Sequence, residues 1–123
     1  MPWTAAEARI WMAGLKREAS ASSATDMRFD TLYLGGGTPS LLDGPAVAAV
    51  RDLAHAHFPM EIAEFTLEAN PSAGASGRLR GWREAGVSRL SVGVQSFDDD
   101  ILRTLGRRYS GDEALRFCRS ARE

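Results

Sequence analysis

Short apolar runs alternate with amphipathic stretches along this chain, and that alternation restricts the fold more than any other feature of the sequence. Phe29 to Leu34, Ala63 to Leu67 and Val87 to Val94 are predicted strands. Gly44-Pro45 opens a helix whose apolar stripe is Val47, Val50, Leu53, Ala54 and His57, and Pro59 stops it. Leu79, Trp82 and Ala85 outline a shorter helix closed by Gly86. Asp98, Asp99 and Asp100 suit the positive N-terminus of a helix carrying Ile101, Leu102 and Leu105, and Ser110-Gly111-Asp112-Glu113 is a capping box for a last helix. Ahead of the first strand, the Thr4-Ala5-Ala6-Glu7 box and the spacing of Ala8, Trp11, Met12, Leu15 and Ala19 predict a helix over roughly 4 to 19. Ser20 to Arg28 is a polar surface connection. Strand, helix, strand at this spacing requires parallel pairing with right-handed crossovers. The fold class is therefore α/β, with three parallel strands joined by crossover helices. Every strand-to-helix loop then falls on one sheet edge, where open α/β sheets and barrels bind ligands.

That edge collects polar residues. Leu32-Tyr33-Leu34-Gly35-Gly36-Gly37-Thr38-Pro39-Ser40 runs an apolar strand into three glycines, which expose backbone N–H groups and let a ligand approach the main chain. A tight turn is the plainer reading of such a triplet. The second strand ends in Glu68-Ala69-Asn70-Pro71, with Pro71 preventing its continuation. The third ends near Gln95 and Ser96, and Arg107 lies between the last two helices. Glycine amides bind a carboxylate or phosphate, a carboxylate holds ribose hydroxyls, and an amide and a guanidinium fix a polar or anionic end. The set describes a nucleoside-ligand site. Each member also has a structural alternative: Glu68 paired with Arg89, Gln95 capping the following helix, Arg107 neutralising the Asp98–Asp100 run.

At 123 residues the chain fits one domain and is short for a complete barrel. A net charge of -1 gives no electrostatic reason to propose nucleic acid or an anionic membrane as partner. No apolar run has the length of a membrane span and Met1-Pro2-Trp3-Thr4 has no signal-peptide plan, so the expected location is the cytoplasm. The single cysteine, Cys118, excludes an internal disulfide and a multi-cysteine metal site, and its neighbours predict a buried position on a helix. His55 and His57, two apart, cannot share a helix face as a metal pair. A dinucleotide or P-loop site is disfavoured: the glycine triplet lacks the G-x-G-x-x-G spacing, and the only lysine, Lys16, lies on the first helix.

Four segments together carry a family resemblance: Leu34-Gly35-Gly36-Gly37-Thr38-Pro39-Ser40, Glu68-Ala69-Asn70-Pro71, Gly86 through Phe97, and Leu105-Gly106-Arg107. They resemble the radical S-adenosylmethionine enzymes of the oxygen-independent coproporphyrinogen III oxidase superfamily over about residues 5 to 123. Asn70-Pro71, Ser96 after Gln95, and Gly106 before Arg107 are more similar to its haem chaperone branch. The resemblance implies a partial (β/α) barrel in which a [4Fe–4S] cluster and S-adenosylmethionine supply the chemistry. It also implies roles residue by residue. Gly36, Gly37 and Thr38 line the amino-acid end of S-adenosylmethionine, Glu68 takes the ribose or a neighbouring polar group, and Gln95 and Arg107 contact the same cofactor or a second copy. Haem or a porphyrinogen is the implied further partner. Tyr109 stands where the family commonly has histidine.

The departure from the family is the C-x3-C-x2-C cluster motif, expected before the first helix and missing from this sequence, whose one cysteine is Cys118. The expectation is therefore a partial core domain over residues 1–123, truncated at both ends. It carries part of an S-adenosylmethionine site but no catalytic residue and no metal ligand. The alternative is a non-catalytic remnant or nucleoside-binding module without redox chemistry.

Overall fold

Caps and prolines put most element boundaries where the spacing predicts them. The computed structural model describes residues 5–22 and 26–123. Its elements are α1 (Ala5–Ala21), β1 (Phe29–Leu34), a 3-10 turn (Pro39–Leu41), α2 (Gly44–His57), β2 (Met60–Ala69), α3 (Ala73–Ser76), α4 (Leu79–Glu84), β3 (Arg89–Val92), α5 (Asp99–Thr104) and α6 (Gly111–Ser120). Asp43 opens α2 by accepting from the Ala46 N–H at 2.9 Å. At α6 the predicted capping box is complete: Glu113 N–H donates to Ser110 Oγ at 3.2 Å and Ser110 N–H donates to the Glu113 carboxylate at 2.7 Å. The box predicted from Thr4 falls outside the described residues, as does part of the connection after α1.

Three local differences have identifiable causes. β2 starts at Met60 rather than Ala63, because Pro59 turns straight into the strand and its carbonyl accepts from Phe29 N–H at 3.0 Å. β3 is shorter than Val87 to Val94. Beyond Val92 the chain folds on itself, with Val94 N–H donating to Val92 O and Ser96 N–H to Val94 O, the short-range bonds of γ-turns. The additional helix α3 follows Ser72, whose Oγ accepts from Ala75 N–H at 3.3 Å.

Among the described residues the strands form a parallel sheet in the order β1-β2-β3. The register sets Tyr33 beside Thr66, Leu34 beside Leu67, Glu68 beside Ser91 and Ala69 beside Val92. Residues two apart share a face, so two sets separate. Phe65, Leu67 and Ala69 pack with Val47, Leu42, Trp82, Ala85 and Phe117, joined at the margin by Leu32, Leu34, Leu90 and Val92. This is the core. The opposite face carries Thr31 and Tyr33, Glu64, Thr66 and Glu68, and Arg89 and Ser91. β1 is thus apolar on one face only, and Tyr33 stands 57% exposed on the other.

Cys118 is half-buried rather than buried. The position follows from α6 itself, whose Ala114 and Phe117 take the inward direction and leave Cys118 beside it. His57 lies 3.0 Å from the Leu53 carbonyl through Nδ1 and 3.0 Å from Ser20 Oγ through Nε2, tying α2 to the end of α1, while His55 is exposed. Among the described residues no helix is long and apolar enough to cross a membrane.

Candidate functional site

The site begins where β1 stops. Gly36 and Gly37 adopt φ of 84° and 61°, a left-handed pair that side-chain-bearing residues rarely adopt. This turns the loop back over the tip of β2, and the Gly36 N–H donates to Glu68 Oε2 at 3.0 Å. The loop then runs into the 3-10 turn and is anchored from below. Arg78 donates to the Ser40 carbonyl at 3.1 Å, and the buried Trp82 indole donates to the Leu42 carbonyl at 2.8 Å. Ser40, itself buried, accepts from Asn70 N–H at 3.3 Å and so ties the loop to the end of β2.

Glu68 is the charged group of the site. Its Oε1 accepts from the Tyr33 hydroxyl at 2.6 Å, which complements the Gly36 bond to Oε2. Both donors favour the ionised form. The Tyr33 hydrogen bond, and after it the Gly36 N–H, hold the carboxyl below its ordinary 4.5. The same bond stabilises the neutral phenol and raises Tyr33 above its ordinary 10.0. Further along the polar face, Arg89 pairs with Glu64 at 3.2 Å, not with Glu68.

Gly37, Thr38, Ser40, Glu68, Asn70, Ser91, Gly93 and Gln95 line a cleft of about 260 Å³ at the C-terminal ends of the strands. Among the residues expected from sequence, Gly37, Thr38, Glu68 and Gln95 share this cleft. Gly36 sits beside it and donates to Glu68. Arg107 is not in the lining: it follows α5, its N–H donates to Leu102 O at 2.9 Å, and its Nε is buried with no hydrogen-bond partner among the described residues. Gln95 does not cap α5, because Asp98 does so by accepting from Asp100 and Ile101 N–H. Gln95 instead has φ of 70°, a strained conformation for a side-chain-bearing residue and one that clusters at functional sites. Tyr109 lies 3.0 Å from both the Gly93 and Val94 carbonyls and fixes the end of β3.

Sequence reasoning missed Tyr33, Arg78 and Ser91. The register in which Ser91 lies beside Glu68 could have found Ser91 once β2 and β3 were aligned. For Tyr33 the only available signal was a hydroxyl-bearing residue two before the glycines.

A parallel sheet covered by helices on one face, with a carboxylate and a glycine turn at the strand tips, is an α/β core of the barrel type, in which ligand sites lie at the strand tips. The sequence model of the radical SAM superfamily matches residues 13–123, and the chain belongs to that superfamily. It is 45% identical over 92 residues to the heme chaperone HemW of Escherichia coli, covering 74% of this chain and 24% of that protein. It is 47% identical over 90 residues to the mitochondrial radical S-adenosyl methionine domain-containing protein 1 of Bos taurus, covering 72% and 20% respectively. Among solved structures, coproporphyrinogen III oxidase (HemN) from Escherichia coli, a radical SAM enzyme, superposes with a TM-score of 0.81 at 26% identity, over 94% of this chain and 27% of that one. The chain thus spans about a quarter of the length of these relatives. The partial-barrel α/β fold expected from the sequence is the fold it has.

Proposed function

We propose that this chain forms the S-adenosylmethionine-binding cleft of a HemW- or HemN-like radical SAM protein of haem and porphyrin metabolism. The observation that carries the reading is Glu68, ionised and held by two donors on the wall of a strand-tip cleft. A carboxylate so fixed accepts the two hydroxyls of a ribose. Beside it, the left-handed Gly36–Gly37 turn leaves open space above both glycines, where a Cβ would meet nothing within 4 Å. That space suits the amino-acid end, with Thr38 adding a hydroxyl. Gln95 offers an amide in the same lining. Arg107, whose buried Nε has no hydrogen-bond partner among the described residues, is a candidate for an anionic group of the ligand. The donor set therefore fits S-adenosylmethionine, which supplies the radical chemistry of the superfamily when bound together with a cluster; these residues bind and orient it.

The [4Fe–4S] cluster does not fit the residues of this chain. A cluster of this kind needs several thiolates, and the one thiol, Cys118, stands half-buried on α6. No residue of this chain is proposed as a cluster ligand, a catalytic side chain or a metal ligand. That same cysteine count favours a second reading, a nucleoside-binding module without redox chemistry, which iron analysis of the purified protein separates from the first. Residues 1–123 are proposed as one unit of a longer radical SAM core, in which haem or a porphyrinogen would be a further partner. The proposed location is the cytoplasm; cell fractionation tests it, the mitochondrial relative marking the other outcome.

Calorimetric titration with S-adenosylmethionine tests the cleft. The wild-type chain should bind, and Gly36→Val should lose binding while keeping its circular dichroism spectrum, because valine cannot adopt φ of 84° without strain. Equal affinity in the variant refutes this reading of the loop.

A further inference from the structure

Glu68 owes its orientation to a residue outside the glycine motif. The Tyr33 hydroxyl donates to one carboxylate oxygen at 2.6 Å and the Gly36 N–H to the other at 3.0 Å, so strand and loop each hold one oxygen. Tyr33 is 57% exposed on the polar face, so its ring is not placed there to fill the core. The register sets Leu34 beside Leu67, and one step further along, Gly35 comes opposite Glu68. To reach the carboxylate the ring must therefore lie across Gly35. A Cβ there would stand 2.4 Å from Tyr33 Cε1 and 3.0 Å from Glu68 Cδ. Gly35 is thus needed for the space above it, where Gly36 and Gly37 are needed for their backbone angles.

We propose that Tyr33 is a positioning residue, which with Gly36 fixes the Glu68 carboxylate so that its remaining lone pairs accept the vicinal hydroxyls of a nucleoside in the cleft. Gly35 makes the arrangement sterically possible. The proposal rests on the reading of the cleft as a nucleoside site. The neighbouring groups support it. From β3, Ser91 lies beside Glu68 and hydrogen-bonds with Tyr33, and the Arg89 guanidinium is engaged by Glu64 at 3.2 Å, so among the described residues Tyr33 is the side chain that donates to the carboxylate.

Tyr33→Phe tests the role, because it keeps the ring and removes the hydroxyl that donates to Glu68. Two quantities are read: the titration midpoint of the Glu68 carboxyl by carbon-13 NMR, and calorimetric affinity for S-adenosylmethionine. The variant should move the midpoint upward and weaken binding roughly fivefold, less than a buried charge-assisted bond would give because the pair faces solvent. Gly35→Ala, which pushes the ring aside, should match it, and the double variant should lose no more than either single one. An unmoved midpoint in Tyr33→Phe overturns the positioning role. So does unchanged affinity in a variant whose midpoint has moved. A moved midpoint in a protein whose wild type binds no S-adenosylmethionine leaves Tyr33 and Glu68 coupled and overturns the nucleoside reading instead.

Discussion

Leu67 and Glu68 are neighbours on β2, yet they belong to two different molecules in the physical sense. Leu67 is fully buried with Phe65, Trp82 and Val47, whereas Glu68 faces the open side, between Tyr33 on β1 and Ser91 on β3. The alternation of the strand puts them on opposite faces. One face is held by area removed from water and carries no group that titrates. The other is held by a few directed hydrogen bonds between polar groups, most of them open to solvent and weak in water, and the Glu68 pair lies at the cleft. Stability and ligand recognition are therefore separable in this sheet by choosing the parity of the residue that is changed.

The largest effect is expected on the helix-covered face. Trp82→Ala removes a fully buried ring and leaves the Leu42 carbonyl without its indole donor, which should cost about 3–5 kcal/mol in urea unfolding. For a chain of this size that is a large part of the whole stability. A loss under about 1 kcal/mol would mean that α4 does not close the core.

The polar face should respond to pH instead, and more weakly. Glu68 has a folded-state pKa below its ordinary 4.5, so its contribution is present above that value and is lost as pH falls through the lower, folded value. Tyr33 has a folded-state pKa above its ordinary 10.0, so its contribution is present below that value and is lost as pH rises through the higher, folded value. Stability followed by thermal melts should thus carry an acid limb and an alkaline limb from this pair. Tyr33→Phe should remove the alkaline limb and flatten the acid one, whereas Trp82→Ala should lower the whole curve without changing its shape. Identical curve shapes for wild type and Tyr33→Phe would contradict the hydrogen bond between Tyr33 and Glu68.

What was legible in the sequence divides along the same line. The helix-covered face was visible because caps, prolines and apolar spacing are local signals: Gly44-Pro45 at the start of α2, the Ser110–Glu113 box, and Leu79, Trp82 and Ala85 in step. Glu68 was visible as a carboxylate left at a strand end by Pro71. The Tyr33 contact was not, because it depends on which residue of β1 stands beside which residue of β2, and Tyr33 between two leucines reads as one more apolar position. The shortness of β3 and the strained backbone of Gln95 were hidden for a related reason. Both arise from backbone folding after Val92 that no side-chain pattern announces. The family resemblance pointed to Arg107 as a cofactor contact, but no sequence spacing shows that it stands outside the lining of the cleft.

The most direct test of the account is to follow the backbone amides by nitrogen-15 NMR while S-adenosylmethionine is added to the full chain. The account predicts that shifts concentrate at Gly36, Gly37, Thr38, Glu68 and Gln95, with Val47, Phe65 and Phe117 on the helix-covered side unmoved. A folded spectrum that does not change, or changes confined to the helix-covered side, would contradict it.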